Sequence, residues 1–178
     1  MIRLYEAASP CKSLPPFRAL PTSITHAHGV THYRSRFPAY HGEIYRVRAN
    51  LLELIAGDIA RDVSLDDIRT LQPIMQVMET ASKAGDVNAY FWANIDFHER
   101  NTELAGNRTV KKIVDSLLLR TLRLRRISLS QPGRLQKSYE DHERLCRAYE
   151  DRDPTLAAAL IRSNHVTGLS VLENIFSQ

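Results

Sequence analysis

The sequence predicts an all-α protein, an antiparallel bundle of six to seven helices over residues 41–178, preceded by an irregular arm or linker remnant over 1–40. Three observations predict it. From Glu43 onward, apolar residues recur at three- and four-residue intervals, the helical period. Capping residues, glycines and prolines cut that pattern into segments of helix length. No stretch alternates polar and apolar residues as a half-buried strand would.

The elements follow in order. In 43–61, Ile44, Val47, Leu51, Leu52, Ile55 and Ile59 form one stripe. Ser64 opens SLDD, a box-like start with Asp67 three residues on, and predicts a helix to about Lys83, ended by Gly85. Asp86 can cap the next helix, which runs to about Ala105 and stops at Gly106. Asn107 can cap a fourth through Leu129, after which Pro132 and Gly133 break the chain. A fifth covers roughly 134–150. Asp153-Pro154 supplies a cap and a proline at the first helical position of the last, which reaches about Phe176. Before all of these, Pro10, Pro15, Pro16, Pro21 and Pro38 leave no helical period, and His26, His28 and His32 read as part of a solvated arm.

The net charge of +4 is mild. Its one basic cluster, Arg120, Arg123, Arg125 and Arg126, reads as a solvated helix face rather than a nucleic-acid surface. Cys11 and Cys146 lie far apart, without CxxC spacing, so a disulfide framework is not expected and a reducing cytoplasm is the default. Cys146, one turn from His142, reads as a small core residue. No apolar run reaches membrane-spanning length, and the N-terminus lacks a basic-then-apolar signal pattern. Nucleophile-elbow and phosphate-loop motifs are absent. So is the Glu-x-x-His pair of a di-iron bundle.

Polar residues on apolar faces carry the functional signal. In helix 87–105, Asn94 and His98 share the inward stripe with Tyr90, Phe91 and Ile95, while Trp92, Asp96 and Arg100 face elsewhere. His142 lies on the inward stripe of 134–150, with Leu135, Tyr139 and Leu145. His165 lies on that of the last helix, with Ala157, Ile161, Leu169 and Leu172. One inward histidine is ordinarily a hydrogen-bonded core residue. Three on three helices point to a shared metal, because one ion satisfies a nitrogen of each ring at once. Zinc and nickel suit imidazole ligands.

Four segments, in order and spacing, resemble the effector-binding domain of GntR-type bacterial transcription regulators, the all-α type named after the C-terminal domain of FadR (FCD). They are EIYRVRANLLE, GDVNAYFWANIDFHERNTELAGN, EDHERLCRAYEDRD and LAAALIRSNH, and the resemblance covers roughly 43–172. It implies a divalent metal beneath a pocket for a small organic acid, with Asn94, His98, His142 and His165 at the ligand positions and Arg48 facing the effector. It also implies a homodimer. Two features depart from the family pattern. Asn94 stands where a carboxylate is usual. The spacing from Asp153 is one residue long, which would bring Asn164 to the last position; the greasier stripe favours His165. A winged helix-turn-helix normally precedes the domain, and DNA contact would run through it; residues 1–40 are too short to supply one. The expected activity is ligand sensing rather than catalysis. The competing readings are a metal-dependent enzyme and a metal-free structural or dimerisation module.

Overall fold

A computed structural model describes residues 39–177. The expectations for the arm before Ala39, including His26, His28, His32 and Cys11, fall outside those residues. Seven helices follow: α1 (Ala39–Asp62), α2 (Leu65–Arg69), α3 (Gln72–Ala84), α4 (Val87–Leu104), α5 (Arg108–Leu129), α6 (Arg134–Glu150) and α7 (Pro154–Ser177). The described residues contain no strand. The fold is the all-α bundle the periodicity predicts.

The caps act as their chemistry requires. Asp86 accepts from the backbone N–H groups of Asn88 and Ala89 at 3.0 and 2.9 Å, satisfying two of the donors α4 leaves open. Asn107 accepts from Val110 N at 3.1 Å, and Asp153 from Leu156 N at 2.8 Å. Gly85 closes α3 at φ +67°, a conformation that side chains disfavour. Asp86→Ala is expected to lower stability by about 1 kcal/mol, read as a lower midpoint in a urea or thermal melt.

One expectation fails. The helix predicted over 64–83 is two helices, broken at Thr70 and Leu71. Ser64 caps the first as expected, accepting from Asp67 N at 3.1 Å. Pro73 then forces the break: it has no N–H to bond the Arg69 carbonyl, and its ring would clash with that carbonyl in a continuous helix. Proline is tolerated in the first turn, which is where α3 begins.

The core is continuous across the helices. Leu52, Ile55 and Ile59 of α1 are essentially inaccessible, as are Met78 of α3, Tyr90 and Phe97 of α4, and Leu145 and Tyr149 of α6. Tyr149 also donates its hydroxyl to Asn101 Oδ1 at 2.6 Å, so a buried polar pair ties α4 to α6. Smaller apolar contacts of Tyr45, Leu124, Leu169 and Leu172 join α1, α5 and α7. Cys146 packs against the main core, and burial pushes its thiol up to about 12, which removes it as a thiolate.

Candidate effector site

The inward polar residues converge. Asn94 and His98 of α4, His142 of α6 and His165 of α7 are all buried, at 6 % exposure or less. The ring centre of His98 lies 5.3 Å from that of His142 and 5.2 Å from that of His165. Phe97 seats two of these rings edge-on, at 4.7 Å from His142 and 5.8 Å from His98. At the last position it is His165 that joins the cluster. Asn164 is half-buried and turns its amide toward Asp141 at 3.4 Å.

Backbone carbonyls set the tautomers of two histidines. His142 Nδ1 lies 2.6 Å from the Ser138 carbonyl, and His165 Nδ1 lies 3.0 Å from that of Ile161. A carbonyl only accepts, so each Nδ1 carries the proton and each Nε2 keeps a lone pair. His98 Nδ1 is buried with no hydrogen-bond partner. All three imidazoles are held neutral. Burial lowers His98 and His165 well below the usual range and His142 to about 4, and Arg125 lowers all three further.

Arg125 is the residue sequence reasoning missed. It was grouped with the solvated arginines of α5, yet its side chain is buried and points into the cluster. Its Nη2 donates to Asn94 Oδ1 in a short hydrogen bond. That fixes the orientation of the amide, whose Nδ2 donates to His142 Nε2 at 3.1 Å. The signal was present in the spacing. Arg125 is four residues after the inward Thr121 and three before the inward Ser128, on the buried stripe of α5.

Arg48 of α1 is 1 % exposed and joins Arg125 at the same place. Burial lowers the two guanidinium groups, Arg48 to about 9 and Arg125 to about 10, so both stay cationic at neutral pH. Arg48 Nε and Nη1, and Arg125 Nη1, are buried without acceptors. The ionisable groups acting on Arg48 are Arg125 and Tyr45, with no carboxylate among them.

Two cavities flank this cluster, and both include His98 and Arg125 in their walls. One, of about 130 Å³, runs between α4 and α5 and is also lined by Arg48, Ile95, Thr102 and Val114. Glu99 and Asp115 line it too, and Lys111 links them, 3.0 Å from Asp115 and 3.9 Å from Glu99. The other, of about 40 Å³, is bordered by Tyr45, Asn94, Ser138 and His165.

The donor set fits a metal only in part. Two imidazoles on one tetrahedral ion have ring centres roughly 5 Å apart, which matches the spacing here. Backbone carbonyls brace His142 and His165 as metal-binding histidines are usually braced. Against this, the Asn94 oxygen already accepts from a guanidinium, and the His142 lone pair already accepts from Asn94. Among the described residues, no group of three or more His, Cys, Asp or Glu side chains is arranged to hold a metal ion.

The family model of the FCD domain matches residues 43–167. The chain belongs to the FCD family. As an FCD domain it is of the regulatory type found in GntR-type regulators, in line with the resemblance carried by its four segments. Among solved structures, the fold is similar to that of E. coli McbR/YncC, with a TM-score of 0.70 and 16% identity, covering 78% of this chain and 70% of that one. It is also similar to Streptococcus agalactiae GntR, with a TM-score of 0.60 and 18% identity, covering 75% of this chain and 59% of that one. A comparison with curated proteins finds no match. No helix among the described residues of this FCD domain is long and apolar enough to cross a membrane.

Proposed function

We propose that residues 41–178 are the effector-binding domain of a cytoplasmic, homodimeric GntR-type regulator, and that the effector is a small organic acid bound beside Arg48 and Arg125. One observation carries this reading: two buried guanidinium groups with unmet donors line a 130 Å³ cavity and have no carboxylate of their own. Each unmet buried donor costs about 1–3 kcal/mol. An anion supplies what they lack. The cavity is close to the roughly 150 Å³ of one that admits benzene, so the acid is small.

The reading has two forms. In the form the family resemblance implies, zinc or nickel sits on His98, His142 and His165, with Asn94 in the fourth position, and supplies a Lewis-acidic anchor for the carboxylate. The ring spacing favours it. In the other form the arginines hold the acid directly. Either way the site is read as a sensor. Asp96, two residues before His98, lies on the exposed face of α4, and the two acids at the cavity, Glu99 and Asp115, are engaged by Lys111. DNA contact belongs to a winged helix-turn-helix rather than to this bundle.

The test is a thermal-shift screen of the full chain against small organic acids, each with chelator, with zinc and with nickel. An acid present at a hundred times its Kd adds about 2.7 kcal/mol, which corresponds to a rise of roughly 5–10 °C for a domain of this size. A melting temperature unmoved by every acid in all three conditions defeats the proposal.

A further inference from the structure

Two of the four positions expected to hold a metal, Asn94 and His142, are already engaged with each other, and Asn94 with Arg125 as well. Asn94 presents its oxygen to the guanidinium and its amide to the His142 lone pair. An ion on that oxygen's remaining lone pair would sit against the Arg125 guanidinium, and for an ion to use His142, Asn94 must leave its ring nitrogen. The charges point the same way. A site with a metal-ligand carboxylate brings a negative charge that offsets part of the ion's. Here the corresponding residue is a neutral amide, and the neighbouring charges are two arginines. A divalent ion would raise four positive charges in a buried site whose cavity carboxylates, Glu99 and Asp115, are already paired with Lys111, and like charges in a low-dielectric interior repel strongly.

The same features suit an anion. Arg48 Nε and Nη1 and Arg125 Nη1 are buried N–H donors without acceptors. A guanidinium presents its donors in a planar fork that matches a carboxylate, and such charge-assisted bonds are about twice as strong as neutral ones. Both arginines that carry these unmet donors line the 130 Å³ cavity. We infer that this domain binds its carboxylate effector directly between Arg48 and Arg125, without a metal, and that the Asn94–Arg125 pair replaces the metal-binding carboxylate of its relatives. Asn94 is then a positioning residue: it holds one edge of Arg125 and leaves Nη1 for the ligand. The inference rests on the sensor reading above and specifies how that sensor recognises its ligand.

The experiment uses the full chain, treated with chelator and dialysed, titrated calorimetrically with benzoate and with lactate, and with the neutral amides of both as controls. The expected result is that at least one carboxylate binds in chelator, its amide does not, and added zinc or nickel changes the affinity by less than threefold. Arg48→Met is expected to weaken that binding at least tenfold while the melting temperature of the free protein stays level or rises, because an unpaired buried charge has been removed. Arg125→Lys keeps the charge but loses the fork, and is expected to weaken binding at least fivefold with an unchanged helical circular-dichroism spectrum. Carboxylate binding that appears only with zinc or nickel overturns the inference and leaves the sensor reading standing. No carboxylate binding with or without metal overturns both. An Arg48→Met protein that binds as tightly as the parent overturns the assignment of that residue and the direct mode with it.

Discussion

Asn94→Asp is expected to tighten zinc binding at least tenfold and to weaken metal-free carboxylate binding by a similar factor. Both effects come from one added negative charge at a buried position. In the parent, the Asn94 oxygen accepts from Arg125 and the amide fills the His142 lone pair. An aspartate cannot donate to His142 Nε2, so that lone pair is released. Its carboxylate offers a second oxygen, so one can remain on Arg125 while the other meets the ion with the imidazoles. At 4 Å and an effective dielectric constant near 20, one charge pair is worth about 4 kcal/mol, and tenfold in affinity needs only about 1.4 kcal/mol. The same carboxylate partly neutralises Arg125, which then attracts an external anion less. Calorimetric titrations of zinc and of benzoate into parent and variant would show the two affinities moving in opposite directions. A zinc affinity that does not change would mean that residue 94 does not govern metal binding.

Metal-free protein is expected to lose stability steeply as the pH falls from about 6.5 towards 4. His98, His142 and His165 are all held below their usual value by burial first and by the neighbouring arginines next. A histidine with a depressed folded pKa binds fewer protons folded than unfolded, so acid favours the unfolded chain. The stability tied to the neutral rings is complete above the unfolded value of 6.5 and declines as the pH drops towards the folded one. For His142, falling from 6.5 to about 4, this amounts to about 3 kcal/mol. His98 and His165 add to it, and their contribution goes on falling at lower pH. Urea denaturation at pH 7.5, 6, 5 and 4.5 would measure the slope. A flat profile across that range would show that the three rings are not buried neutral together.

Much of the fold could be read from the chain because its signals are local. Asp86, Asn107 and Asp153 satisfy open donors within three residues of themselves, and the left-handed glycines mark where helices must stop. The break between α2 and α3 was equally local, but the apolar period runs straight through it and masks what Pro73 does to the Arg69 carbonyl. The convergence of His98, His142 and His165 could be anticipated from their stripes, because each stripe is otherwise apolar. Arg125 could not be separated so easily. Arginine is rarely fully buried, its neighbours Arg120, Arg123 and Arg126 are also basic, and a cluster of like charges ordinarily reads as surface. Its place on the stripe of Thr121 and Ser128 was the one local signal; its partner 31 residues away, Asn94, is reported by no pattern within α5.

On the sensor reading, the wall shared by the two cavities would carry occupancy on one side to the other. His98 and Arg125 face both spaces, so a ligand arriving on the α4–α5 side and drawing Arg125 toward itself would loosen its grip on Asn94. The amide would then be free to turn, and His142 would lose the donor that occupies its ring. Occupancy on one side of the partition would thus be felt by α6, a helix that does not line the larger cavity at all. A message that passes through two hydrogen bonds in series needs no large movement of the ligand, only an exchange of partners.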